Sequence, residues 1–191
     1  TNYHEAKAFC AWKTRTGGLP VRLPSEDEWH ALRRFAGVAD LPIEVSTELP
    51  PANLGLAHEA SSCPVNRHAH GPLFDVVGNV WQWLETPTYP FAGFAVHPLY
   101  DDFTTPTFDD RHNLIKGGSW ISCGNEAAPV SRYAFRRHFF QHAGFRYVVS
   151  DAPASQPTSR YETDRLISEY IEFHYGDEYF GVPNFPRALA Q

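Results

Sequence analysis

An α+β fold rich in irregular loops, with a helical C-terminal segment, is what this sequence predicts, and three observations carry the prediction. Aromatic residues make up 15% of the 191 residues, alongside 13 glycines and 16 prolines, a composition for turns pinned by large side chains rather than for a helical bundle. Helical periodicity is confined to two stretches near the start and one after residue 158. Between them, short β-type runs alternate with Pro-containing and polar stretches.

The bulk numbers narrow the class. With 42% hydrophobic and 20% charged residues the chain suffices for one globular domain and an appended segment. A net charge of −6 argues against a surface built for nucleic acid. No apolar run reaches the length of a membrane span and no charged-then-apolar leader opens the chain, so no membrane partner is expected. Cys10, Cys63 and Cys123 form an odd set without C-x-x-C spacing, which suits a reducing compartment, the cytoplasm, better than a disulfide or zinc framework. Thr1-Asn2-Tyr3-His4 reads as the middle of a structured protein, and a piece of a longer one is expected.

Taken in order, Ala6, Ala8, Phe9, Ala11 and Trp12 are spaced as on a helix that Gly17-Gly18 ends. Leu19 to Pro24 is a short extended piece. Ser25-Glu26-Asp27-Glu28 is a capping box, in which Ser25 and Glu28 satisfy each other's free backbone N–H groups, and Trp29, Leu32 and Ala36 give the helix behind it one buried stripe. Asp40 to Arg67 lacks periodicity and is expected to be a long loop with one short strand, Asn53 being a turn residue or an oxygen donor to a cation. Gly78-Asn79 is a turn signal whose apolar flanks should be strands or packed segments, with Trp81 and Trp83 on one face.

Glu85 to Arg111 is an aromatic-rich loop, costly in entropy unless packed or functional, and Tyr100 is its candidate functional residue or a half-buried packing tyrosine. Leu114-Ile115-Lys116 should be a strand running into Gly117-Gly118, where the backbone can turn or approach another segment. Ser131 to His142 interleaves Arg132, Arg136, Arg137 and His138 with Tyr133, Phe135, Phe139 and Phe140, a run suited to binding a carboxylate through a guanidinium fork. Gly144 to Val149 should be a final strand. Residues 151–158 read as a linker; beyond it Ser159 and Glu162 can cap a helix with Leu166, Ile167, Tyr170, Ile171 and His174 on one face.

Ten histidines invite a metal reading. His138 and His142 are spaced to share a helix face, but no acidic third ligand accompanies them, and His68 and His70 sit in a Pro/Gly-bounded loop. No metal-ligand set is assigned to this chain. It shows neither a nucleophile elbow nor a phosphate loop.

Four motifs, Leu23 to Trp29, Phe74 to Trp83, Lys116 to Trp120 and Gly144-Phe145-Arg146, together resemble the formylglycine-generating-enzyme (sulfatase-modifying factor) family over about residues 1–150. The resemblance implies an irregular, C-type-lectin-related α+β fold. The namesake enzymes carry active-site cysteines in the region leading to Gly-Phe-Arg; residues 131–146 have none, so peptidyl-cysteine oxidation is not expected. The segments Pro98 to Phe103, Ile115 to Ser122, Gly124 to Ala127 and Arg132 to Arg146 are more similar to the iron-dependent sulfoxide synthases, and within them to the ovothiol-pathway 5-histidylcysteine sulfoxide synthases. Tyr161 to Asp164, Phe173 to Gly176 and Tyr179 to Pro186 look like the entry to the methyltransferase domain of those enzymes, so residues 159–191 are expected to begin one that uses S-adenosylmethionine.

What this resemblance implies is an Fe(II) enzyme that joins the sulfur of L-cysteine to C5 of L-histidine with O2. Its iron would be held by histidines of an N-terminal four-helix domain, against which this chain would pack as the second wall of the active site, inactive alone. Tyr100 matches the tyrosine that reaches towards the oxygen at the iron, and Arg136 and Arg137 both fall near the arginine that holds the sulfur substrate's carboxylate. Asn79 and Gln82 match positions near a structural calcium in formylglycine-generating enzymes, with Gln82 in place of the usual glutamate. The alternative is a non-catalytic lectin-like binding module.

Overall fold

The computed structural model describes residues 1–38, 52–95 and 105–154. Helix α1 (Tyr3–Gly17) opens on a capping box, with the Asn2 side chain accepting from the Glu5 N–H and Glu5 answering the Asn2 N–H. It closes where Gly18 turns left-handed. The extended pair β1 (Val21–Arg22) leads to α2 (Glu26–Phe35), which starts on the expected Ser25/Glu28 box.

The buried stripe of α2 differs from the expected one. Trp29 and Ala36 are buried, but Leu32 is only half-buried, and the other fully covered positions are Glu26 and Arg33. Periodicity alone assigned the stripe to apolar residues; distant partners reassign it, because Arg33 donates to the Ala127 carbonyl and Glu26 is held by Arg132.

The central sheet runs in the order β6 (Tyr133–Arg136), β5 (His112–Lys116), β4 (Trp81–Pro87), β7 (Ala143–Gly144). The first two pairings are antiparallel and β4–β7 is parallel. Strand β4 is covered on both faces. Trp81 and Trp83 pack with Ile115 against Tyr3, Ala6 and Cys10 of α1, and on the opposite face Leu84 packs with Leu114 against Trp29 of α2. Alternation along the two strands therefore sandwiches the sheet between the helices.

Opposite the register shift between Trp83 and Pro87, the buried Asn113 side chain donates to the carbonyls of Leu84 (3.0 Å) and Glu85 (2.9 Å). It repairs a gap that the bulge opens in the ladder.

Gly78-Asn79 does not make the hairpin its dipeptide signals. The preceding strand, β3 (Leu73–Phe74), pairs instead with β2 (Ala69–His70) in a separate two-stranded sheet. The Gly78 N–H donates to Gly117, and the Asn79 N–H to Asn53. At φ +76°, with a would-be Cβ 2.7 Å from the Asn53 carbonyl oxygen, only glycine fits there.

The expected final strand divides in two: Ala143–Gly144 joins β4, and β8 (Val148–Val149) turns away to pair with β1. Residues 52–67 form no strand, and the remainder of the Asp40 to Arg67 stretch in which one short strand was expected lies outside the described residues. Residues 155–191, with the Ser159/Glu162 box and its apolar stripe, lie outside the described residues, as does Tyr100.

Candidate functional site

Strand β6 lies at the edge of the sheet and separates two clefts. Tyr133 and Phe135, two residues apart and so on one side, line the first with Trp81, Ser119, Ser122, Cys123, Gln141 and His142; its volume is about 450 Å³. Trp81 and Tyr133 meet edge to face at 5.2 Å, and Trp120 meets His142 in the same way at 5.2 Å. The glycine hinge shapes this wall. Gly117 adopts φ +94°, and a Cβ there would stand 2.7 Å from the Gln82 side-chain nitrogen. The chain can then fold under itself, with the Ser119 N–H on the Ser122 hydroxyl (2.9 Å) and the Trp120 N–H on the Asn79 carbonyl (3.0 Å).

The second cleft, about 370 Å³, is lined by His4, Asp109, Arg111, Arg136, Arg137 and His138. Asp109 is its one carboxylate and is already held, by His112 Nδ1 at 2.7 Å and the Arg111 N–H at 2.8 Å. Burial pushes that carboxyl up, but the hydrogen bonds from His112 and the backbone outweigh it and keep the group below its ordinary value. The cleft is thus an excess of cations suited to a small carboxylate ligand. The two arginines expected to clamp a carboxylate are both here, in different states. Arg137 Nε donates to Asn113 (2.6 Å), one of its Nη atoms donates to the Asp110 carbonyl (2.6 Å), and its guanidinium lies 5.3 Å from the Tyr3 ring centre. Arg136, opposite His112 in the ladder, is exposed, and its side chain makes no hydrogen bond or ion pair among the described residues.

Arg132, from the same basic run, points elsewhere. It forms a fork on Glu26 at 3.0 Å to each oxygen, with Tyr89 and Phe91 at 4.6 and 4.4 Å from its guanidinium carbon. It binds a carboxylate, but an internal one.

His138 and His142 do not share a helix face. The segment is strand β6, then a turn, then β7, and the two rings line different clefts. His70 is buried in β2 with Nδ1 accepting from the Val76 N–H at 3.4 Å, while the His68 ring rests 5.7 Å from that of His58. Among the described residues no three His, Cys, Asp or Glu side chains are grouped to hold a metal ion. The described residues therefore do not fit an iron centre of their own.

The residues matched to a calcium position are both engaged by protein groups. Gln82 Oε1 accepts from Arg146 (2.6 Å), which also donates to the Phe74 and Asp75 carbonyls, and Asn79 bridges both backbone groups of Cys63 and the Asp75 carboxylate. A guanidinium among these oxygens is a poor companion for a divalent cation. Asn53 is buried, and its amide donates to the Ser61 carbonyl.

A family model described as the sulfatase-modifying factor enzyme 1-like domain matches residues 1–151. This chain belongs to that family. Among the proteins it is similar to is the hercynine oxygenase of Mycobacterium tuberculosis, 29% identical over 158 residues, covering 76% of this chain and 35% of that protein. Another is ergothioneine biosynthesis protein 1 of Schizosaccharomyces pombe, 30% identical over 127 residues, covering 66% of this chain and 15% of that protein. The chain thus spans about a third of the mycobacterial relative and less of the fungal one. Two solved structures share the fold: PvdO from Pseudomonas aeruginosa (TM-score 0.58, 19% identity, 77% of this chain and 59% of that one) and CarF (TM-score 0.53, 20% identity, 79% and 66%).

Of the lining residues in this family member, sequence reasoning found Arg136, Arg137 and His138 through the basic run. It missed His4, Arg111 and the aromatic wall of Trp81 and Tyr133. The signal for the wall was present in the paired tryptophans beside a glycine hinge, but nothing local brings His4 to Arg136. That meeting depends on Tyr3, whose N–H donates to the Arg137 carbonyl.

Proposed function

We propose that this chain is the substrate-holding wall of an Fe(II)- and O2-dependent sulfoxide synthase that joins the sulfur of L-cysteine to C5 of L-histidine, the step that yields 5-histidylcysteine sulfoxide for ovothiol biosynthesis. The observation that carries the proposal is the pairing of a cationic cleft with an aromatic one across a single strand. The first suits an amino-acid carboxylate; the second, walled by Trp81, Tyr133 and Phe135 and rimmed by Ser122, Gln141 and His142, suits a planar polar ring such as imidazole. Family membership and the similarity to a hercynine oxygenase support the reaction class.

The iron, which supplies the oxygen chemistry when bound, is proposed to be held by an N-terminal four-helix domain packed over these clefts. Tyr100, outside the described residues, is proposed to donate a hydrogen bond or proton to a developing anionic oxygen. Residues 159–191 are proposed to begin an S-adenosylmethionine-dependent methyltransferase domain, and the whole to work in the cytoplasm. The test is O2 uptake by the full-length protein reconstituted with Fe(II), supplied with both amino acids, with the product mass recorded. Uptake that requires both substrates and a sulfoxide product is expected, and Tyr100→Phe should change turnover or the ratio of products. No uptake with both amino acids present would leave the lectin-like binding module as the reading.

A further inference from the structure

Helix α1 has two apolar sides, and the sheet covers one of them. Tyr3, Ala6 and Cys10 are buried against Trp81 and Trp83. Phe9, Trp12 and Lys13, three and four residues apart, form a second side next to the first, where Phe9 is half-buried and Trp12 is 50% exposed. The closing segment extends this side. The Phe9 ring meets those of Trp12 (5.6 Å), Phe145 (5.3 Å) and Tyr147 (6.0 Å), and the Lys13 ammonium lies 5.1 Å from the Tyr147 ring centre. Phe145 and Tyr147 also line a groove of about 430 Å³ whose other walls include Val65, Pro72 and the exposed Phe74. The ridge and the groove are therefore one continuous apolar surface, of the kind that marks a docking site. It shares no lining residue with either cleft beside β6.

The occupant follows from where the described chain ends, how far the next residues reach and what they carry. Just past Tyr147, β8 pairs with β1, the Ser150 N–H donates to the Pro20 carbonyl (3.1 Å), and Arg22 Nε donates to the Ala152 carbonyl (2.9 Å). Ala154 is buried, and Pro20 comes soon after the last turn of α1, so the chain is tied down beside the C-terminal end of that helix. From Ala154 to Ser159 an extended chain spans about 17 Å, against a length of about 22 Å for the 15 residues of α1. A helix that starts at Ser159 can thus begin along most of α1. The helix predicted there has Leu166, Ile167, Tyr170 and Ile171 on one face, with Glu162 and Glu169 along the edge of that stripe. Lys13 makes no ion pair among the described residues and stands among the aromatic rings, ready for such a carboxylate.

We propose that residues 159–176 turn back onto the aromatic side of α1 and the adjoining groove, their aliphatic stripe on Phe9, Trp12 and Tyr147 and their acidic edge on Lys13. Whatever follows in the chain is then held to the flank of this domain, clear of both clefts. The proposal is independent of the reaction assigned to those clefts.

Hydrogen–deuterium exchange of the full-length protein tests it, with residues 160–174 as the readout and β4 and β5 as the control for folding. In wild type the amides of 160–174 should be protected to a degree that does not change with protein concentration. Trp12→Asp should speed their exchange about tenfold or more and leave β4 and β5 unchanged, because half of that side chain already faces solvent. Tyr147→Asp, at the other end of the surface, should do the same, while Ala11→Glu, exposed on a different side of α1, should do nothing. Unprotected amides in wild type, or protection that survives either aspartate variant, would overturn the proposal. Protection that fades on dilution would place a second copy of the chain on this surface and overturn it as well.

Discussion

Lys116 places an ammonium where no part of its side chain reaches water. Its Nζ donates to the carbonyls of Pro129 (2.6 Å) and Ser131 (2.8 Å), sits 3.3 Å from Glu26, and lies 5.2 Å from the Trp29 ring centre. Burial pulls its pKa down to about 8, against the opposing pull of Glu26. A neutral amine still has two N–H groups for the two carbonyls, so losing the proton leaves the site bonded. The unfolded chain keeps that proton to about pH 10.5, so between pH 8 and 10.5 it binds more protons than the folded one, and stability rises with pH at up to about 1.4 kcal/mol per unit. Tyr3 acts in the opposite sense. Burial first, and the charge of Glu85 next, push its phenol up to about 12, so stability is lost as pH climbs from 10 towards 12. Urea unfolding across alkaline pH should show a rise above pH 8 that turns over past 10, and Lys116→Met should remove the rise while leaving the later fall. None of this was legible locally. Ile115-Lys116-Gly117 reads as a strand end, and the carboxylate that faces Lys116 comes from α2.

At the scale of the element, the helices were the most legible part, because capping boxes are written in four consecutive residues. Ser25→Ala should cost about 1 kcal/mol, the usual loss for an N-cap hydroxyl, visible as a shift in denaturation midpoint. The bulge in β4 was illegible, since a register shift belongs to two strands and its repair to a third group. Asn113→Ala would leave the Leu84 and Glu85 carbonyls and Arg137 Nε without partners. A loss of about 2–4 kcal/mol is expected, larger than that of Ser25→Ala in the same chemical denaturation series. The Gly78-Asn79 signal illustrates the converse error. The local chemistry was read correctly, since both residues have positive φ, but the long-range bonds to Gly117 and Asn53 replace the hairpin that such a dipeptide ordinarily makes.

Across the whole molecule, the fold class could be recognised from ordered motifs, while the topology could not. Leu23 to Trp29 and Lys116 to Trp120 are separate in sequence, yet each contributes to the packing around Trp29 and Lys116 on one face of the sheet. The closing segment was read as one strand because Gly144 to Val149 runs without a turn signal and is rich in aromatic and β-branched residues; the parallel pairing of Gly144 with Gln82 and the antiparallel pairing of Val149 with Val21 pull it apart. Removing Val148–Val149 should therefore lower the thermal midpoint of the entire domain rather than fray one end, because β1 joins α1 to α2 and loses its one ladder partner among the described residues. Limited proteolysis of that deletion should cut near β1 first.

The same β1–β8 pairing carries a consequence for how the protein is made. Val21 emerges from the ribosome long before Val149, and at roughly 5–20 residues per second the delay is on the order of 10 s. Until residues 143–149 arrive, α1 lacks Ala143 and Phe145 from its packing and β1 lacks its partner, so the apolar side of the domain stays open to solvent. The domain should therefore depend on chaperone cover during synthesis, more heavily than a fold whose neighbours in space are also neighbours in sequence.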